Sequence, residues 1–184
     1  MTKSYDKAIA LFRDKYVSLT EQGVKISSKD SHWLNLWKVI DKVLKVITFG
    51  RMNSFLKEFT TTFGKNIDFP YGWRPYMATE RSYVVLCHEE VHVNQYLKLG
   101  LGNAKIGMLV MGFLYLFVFL PVVGAWFRYY FEREAYLEGI KAWKRLGYNS
   151  VIDNYVDTLA GPSYVWAWPF KRSIKKWFEK ELRK

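Results

Sequence analysis

The stretch Val84-Val85-Leu86-Cys87-His88-Glu89-Glu90-Val91-His92 sets the reading of the whole chain. Its last five residues spell H-E-x-x-H. They lie within a pattern that predicts a helix from Thr79 to about Leu99, with Val84, Val85, Leu86, Val91 and Leu97 apolar and Gly100 and Gly102 closing it. Residues four apart lie one turn apart on the same helix face, so His88 and His92 can grip a single zinc ion. Glu89 stands one residue further round, where it can reach a zinc-bound water without ligating the metal. Zinc lowers the pKa of such a water, and Glu89 as general base would take its proton so that hydroxide attacks a carbonyl. Glu90 points elsewhere on this geometry and is given no catalytic part. The chain has only three histidines, and the motif uses two of them; His32 is the third. A buried helix rarely carries two histidines and two glutamates without a partner for them.

A catalytic zinc needs a third protein ligand and an open position. No histidine follows His92, so that ligand must be a carboxylate. A helix predicted from about Val122 to Leu146 offers Glu132, Glu134 and Glu138, of which Glu134 reads as solvent-facing. Arg128, Tyr129, Tyr130 and Tyr136, on the same helix, are conceivable donors to a carbonyl oxygen in the transition state. Glu89-Glu90-Val91-His92 is also E-x-x-H, but a carboxylate-bridged di-iron site needs a second copy and the chain has none. Three histidines are too few for a membrane di-iron oxygenase.

The pair His88-Glu89-Glu90-Val91-His92 and Glu132-Arg133-Glu134-Ala135 resembles the gluzincins, zinc peptidases with a glutamate ligand. More narrowly, it resembles the minimal single-domain zinc peptidases that include forms carried by tailed phages. The likeness covers roughly residues 56–140. It implies a zincin-like core and peptide-bond hydrolysis on a peptide or protein substrate. It further implies one Zn2+ per chain held by His88, His92 and Glu132, the first residue of E-x-x-A. In that family an edge strand ahead of the metal helix usually holds the extended peptide by adding a backbone strand. An acidic residue often follows the glutamate ligand by four positions and supports a zinc-bound histidine. Here that residue is Tyr136, so the support falls to Tyr136 or to another group among Glu134, Asp153 and Asp157. The alternatives are a non-catalytic structural, membrane- or virion-associated protein that retains the metal fold, and a zinc hydrolase of a non-peptide amide or ester.

Around this core the patterns predict a mostly helical α+β single domain: N-terminal helices in 1–50, a metal-binding core in 56–147 and C-terminal helices in 148–184. Residues 4–21 read as a surface helix stopped by Gly23. A second helix from about Ser31 reads as core-facing through Trp33, Leu34, Trp37, Ile40, Val43, Leu44 and Ile47, with Lys38, Asp41, Lys42 and Lys45 on its other side. Phe59–Phe63, a turn at Gly64-Lys65 and Ile67–Phe69 read as a short hairpin, followed by a loop from Pro70 to Pro75. Asn149 or Ser150 is expected to cap one more helix, to Ala160, with an aromatic link from Tyr164 to Trp168 beyond it.

Residues 106–127 carry no charge over 22 positions. A straight transmembrane span would set its ends about 30 Å apart, whereas His92 and Glu132 on either side must both reach one zinc. The reading is therefore a helical hairpin, with a helix from about Gly107 to Leu120 broken at Pro121. It is read as buried or covered by a partner protein, with membrane insertion as the alternative. The formal net charge is +11, and residues 171–184 hold seven Lys/Arg against two Glu. These residues form a basic amphipathic helix with Ile174, Trp177, Phe178 and Leu182 on one face. It reads as docked on the domain, with an anionic surface as the sharper alternative. No nucleic-acid motif is present. The single cysteine, Cys87, excludes an intrachain disulfide and a cysteine zinc knuckle. The polar amino terminus is unlike a signal peptide, which points to a cytoplasmic or virion-associated location or to one peripheral to or inserted at a membrane.

Overall fold

The computed structural model describes residues 3–30, 34–47, 49–50, 54–116, 123–161 and 168–184. In chain order the elements are α1 (Lys3–Glu21), β1 (Lys25–Ser28), α2 (Leu34–Ile47), the single turn α3 (Phe55–Glu58), β2 (Thr61–Phe63), β3 (Asn66–Phe69), α4 (Glu80–Leu99), α5 (Ala104–Leu116), α6 (Val123–Arg145), α7 (Ile152–Leu159) and α8 (Lys171–Glu181). The architecture is α+β and mostly helical. The expected break at Pro121, the start of the second helix near Ser31 and most of the Tyr164–Trp168 link lie outside the described residues.

Helix α4 is the axis of the molecule. It starts where Thr79 and Ser82 cap each other: the Thr79 hydroxyl accepts the Ser82 N–H and the Ser82 hydroxyl accepts the Thr79 N–H. Against one side lie α1 and the sheet, with Ala8, Phe12, Leu19, Ile67 and Phe69 packing on Tyr83, Leu86 and Cys87. Lys15 of α1 meets Glu90 at 2.8 Å, which turns that glutamate away from the histidine face. Against another side lies α6, whose small residues allow a close approach. Ala135 and Ala142 are fully buried, and a Cβ on Gly139 would stand 3.6 Å from Val84 Cγ1. Helices α7 and α8 cover the far side of α6, with Val156, Leu159, Ile174 and Phe178 buried against Tyr129 and Ile140.

The hairpin forms as β2 and β3, antiparallel with Thr62 opposite Ile67 and Gly64 turning at φ +62°. A third strand, β1, pairs in parallel with β3, with Ile26 opposite Ile67, so the sheet order is β1-β3-β2 and β2 is an edge. The sequence reading had no element at 25–28.

Three further expectations need correction. On α2, Trp37 is buried as expected, but Asp41 also points inward, accepting from Ser54 Oγ at 3.1 Å and from the Leu56 N–H at 3.2 Å, while Val43 faces out. These bonds offset the cost of burying the carboxylate, and they rotate the helix away from its apolar stripe. Second, α7 begins after Val151 with no side-chain cap. Val151 and Ile152 pack into the α6–α8 cluster, so burial rather than Asn149 or Ser150 sets its start. Third, the described part of the uncharged run is not a buried helix. Met111 is buried and Gly107 lies hard against Tyr96 of α4, where a Cβ would stand 1.7 Å from its carbonyl oxygen. Ile106, Leu109, Val110 and Phe113 nevertheless face outward. No single described helix is long and apolar enough to cross a membrane, and α5 leaves α4 at a bend of 98°.

Lys29 ties the sheet to the segment that leads into β2. It is fully buried, its Nζ donating to the carbonyls of Phe55 (2.9 Å) and Phe59 (2.6 Å) and standing 3.8 Å over the Phe55 ring. Burial lowers its pKa to about 8, against the opposing charges of Glu89, Asp68 and Asp41. A neutral amine still has two N–H groups for these two carbonyls. Between about pH 8 and the ordinary lysine value, the unfolded chain binds more protons than the native one here, so this group makes stability rise with pH. The gain is expected to reach about 3 kcal/mol. It is checked as the difference in urea midpoint between pH 7.5 and pH 9.5, which should be larger for the wild type than for Lys29→Met.

Candidate metal centre

His88 and His92 project from the middle of α4 toward α6, which supplies Glu132 one turn before Ala135. The three side chains converge. His88 Nε2 lies 3.3 Å from His92 Nε2, and each lies 3.6 Å from Glu132 Oε2. Two zinc ligands at about 2.05 Å, subtending 110–120° at the metal, stand about 3.3–3.6 Å apart. The triangle thus has the dimensions of one face of a metal tetrahedron, with the fourth corner left over. It is the one such group of three among the described residues that could hold a metal ion. His92 and Glu132 are buried and His88 nearly so.

The electrostatics call for a cation at the centre of the triangle. Burial works to raise the Glu132 carboxyl, but the two imidazoles overcome it and hold the group well below the usual carboxylate range. Burial would likewise lower the His92 pKa, but the charge and hydrogen bond of Glu132, with the Glu89 charge behind them, hold it up at about 9. A buried carboxylate between two imidazoles draws in a proton, and a divalent ion meets the same demand more fully.

His92 is held by a group the sequence reading did not find. Gln95, one turn on along α4, donates through its Nε2 to the Phe131 carbonyl (3.1 Å) and to Glu134 Oε2 (3.0 Å). Its Oε1 therefore faces His92 Nδ1, 2.9 Å away. Since Oε1 can only accept, Nδ1 carries a proton, so Nε2 is the nitrogen that would offer its lone pair to a metal once its own proton is displaced. Glu134, expected to face solvent, instead anchors this link from α6. Asp153 and Asp157 pair with Lys175 and Lys171 on α8, and Glu138 pairs with Lys141. Replacing Gln95 with leucine is expected to weaken metal binding by about 10- to 100-fold while α4 stays formed. A competition titration against a chromophoric chelator, with helicity followed by circular dichroism, measures both.

Glu89 lies on the side of α4 that faces β2. It is buried, and its Oε2 accepts from Thr62 Oγ1 at 2.7 Å; among the described residues no hydrogen bond engages Oε1. Tyr96, two turns further on, donates its hydroxyl to the Thr62 carbonyl at 3.1 Å, and burial pushes that phenol far above its ordinary pKa. Thr62 is thus pinned at side chain and backbone, which fixes the edge strand beside the metal triangle. Neither Thr62 nor Tyr96 carried a sequence signal, because each acts across elements. Of the conceivable carbonyl-oxygen donors, Tyr136 packs its ring against His88 at 4.6 Å and 71°. Tyr129 is stacked on Trp168 within the α6–α8 cluster, and Arg128 is half-buried one turn before Glu132.

No protein-family model, curated protein or solved structure matches this chain. The functional reading therefore rests on the site itself.

Proposed function

We propose that the chain is a zinc-dependent metallopeptidase of gluzincin type with a zincin-like core. One Zn2+ is held by His88, His92 and Glu132, and Glu89 is the general base. The observation that carries this reading is the triangle of donor atoms with edges of 3.3, 3.6 and 3.6 Å, bordered by a buried carboxylate with one oxygen uncommitted. Two imidazoles and one carboxylate with a corner to spare are the donor set of a catalytic rather than a structural zinc site. A zinc ion there would acidify a water and polarise the substrate carbonyl.

The residues of the chain supply the rest. Glu89 takes the proton of the attacking water on Oε1, while Thr62 holds Oε2 and keeps the carboxylate from rotating away. The same carboxyl then passes the proton to the leaving amine. Tyr136, whose ring packs on His88, is the first choice as donor to the carbonyl oxygen. An extended peptide adds to the free edge of β2.

The test is metal quantification together with a protein-cleavage assay on the wild type and Glu89→Gln. Stoichiometric zinc with cleavage that the substitution abolishes supports the proposal. Zinc without any cleavage by the wild type assigns the site a structural role, and turnover of small amides alone moves the substrate to a non-peptide class.

A further inference from the structure

Two helices beside the edge strand expose apolar and cationic side chains and no acid among the described residues. Among the residues of α2 whose side chains are described, Asn35, Lys38, Val39, Lys42, Val43, Lys45 and Val46 are exposed. The only acid of α2, Asp41, is buried and pairs with Lys45 at 2.9 Å, which leaves Lys38 and Lys42 as the cations toward a lipid surface. On α5 the exposed residues include Lys105, Ile106, Leu109 and Val110, and α5 has no acid. The aliphatic groups are well into solvent: Val43 is 49% exposed, Val46 76%, Ile106 51% and Leu109 70%. The spacing of 39, 43 and 46, and of 106, 109 and 110, places each set on one helix face. The two helices flank β2. Trp37 of α2 lies edge-on to Phe63 at 6.1 Å, and a Cβ on Gly64 would stand 3.8 Å from the carbonyl of Ala104, the first residue of α5.

The path of the chain limits what this surface can meet. The uncharged run 106–127 is bracketed by Lys98 and Lys105 on one side and by Arg128 and Arg133 on the other. His92 and Glu132, which lie outside it at either end, meet within 3.6 Å. The described part of the run, α5, stays packed on α4 through Gly107 and Met111 and turns its other face outward. Helix α5 has 13 residues, about 20 Å, against a hydrocarbon core of about 30 Å. It can enter an interface but cannot cross it.

We propose that α2 and α5 form a docking surface for an anionic lipid bilayer, with the aliphatic groups at headgroup depth and the lysines on lipid phosphates. A second copy of the chain fits poorly, because a net charge of +11 and two acid-free faces would bring cation against cation. The docked geometry places β2 and the metal triangle near the membrane surface. The proposal does not depend on hydrolysis, since its test reads no activity.

The purified full chain is sedimented with phosphatidylcholine vesicles and with the same vesicles carrying phosphatidylglycerol. Three paired variants are run beside it: Val43→Glu with Val46→Glu, Ile106→Glu with Leu109→Glu, and, on α8, Arg172→Glu with Lys176→Glu. Circular dichroism monitors the fold of each. The wild type is expected to sediment with the anionic vesicles, each of the first two pairs to bind at least about tenfold more weakly, and the α8 pair to fall by less than either. The proposal is overturned if the wild type stays in the supernatant with anionic vesicles, or if only the α8 pair loses binding. It also fails if light scattering shows a dimer that the α2 or α5 substitutions dissolve.

Discussion

Glu132→Ala is expected to yield a folded protein that loses its metal on dialysis, with affinity reduced about a hundred- to thousandfold. Structural zinc sites bind with about 10–16 kcal/mol of apparent free energy shared among four ligands, so one ligand carries about 3 kcal/mol. At this site the carboxylate does more than donate an oxygen. It is the one negative charge set 3.6 Å from both imidazoles, and it holds His92 up at about 9. Without it, burial, which works to lower the His92 pKa, is opposed only by the more distant Glu89 charge and the Gln95 hydrogen bond. The variant therefore keeps two imidazoles, 3.3 Å apart, with no carboxylate between them to balance a divalent charge. Glu134 cannot replace it, being bonded to Gln95. Metal content after dialysis against a weak chelator, compared with Glu138→Ala as a surface control, measures the effect. Equal retention in Glu132→Ala and the wild type would remove Glu132 from the ligand set.

The parts of the fold that were legible in the sequence are those whose cause is local. Thr79 and Ser82 start α4 within four residues of each other, Gly64 turns the hairpin at the point where its φ must be positive, and Gly147 closes α6 at φ +98°. The histidine pair follows from helical spacing alone. The convergence of Glu132 did not follow from spacing, since Glu134 and Glu138 satisfied the same count; the resemblance singled it out, and the small face Ala135, Gly139 and Ala142 is what lets α6 come close enough. The elements that escaped the sequence depend on distant partners. Strand β1 is four residues long and pairs with residues 41 positions later, so no periodicity marks it. Asp41 reads as a surface acid until Ser54 and the Leu56 N–H are brought to it. Gln95 reads as an ordinary polar helix residue until α6 supplies the Phe131 carbonyl and Glu134.

This last case bears on the departure at Tyr136. The gluzincin resemblance implies support for a metal-binding histidine from an acid on α6, one turn past Glu132. The chain instead supports His92 from its own helix and reaches the α6 acid through an amide. The proton on Nδ1 is fixed just as firmly, since both Gln95 donors are used and only its oxygen is left. Tyr136 is thereby released from that duty and packs on His88 and Tyr155.

Glu89→Gln is expected to retain stoichiometric metal and the wild-type fold while kcat for peptide cleavage falls by about a hundred- to ten-thousandfold, the range of a general base. The amide has the size of the carboxylate, and its oxygen still accepts from Thr62, so the contact that pins β2 survives. What is lost is a basic oxygen in a water-poor pocket. Such an oxygen matters more than an exposed one because its charge, buried beside α4, is screened little. An amide cannot take the proton of an attacking water or hand it to the leaving amine, so the loss falls on kcat while KM for a peptide held along β2 stays nearly constant. The measurement is steady-state cleavage of a protein substrate by metal-loaded wild type and variant, with metal content determined on the same samples. A fall in kcat at full occupancy assigns the proton transfer to Glu89. An unchanged kcat at full occupancy would place the base elsewhere on the chain, and a parallel loss of metal would make Glu89 a structural support of the site instead.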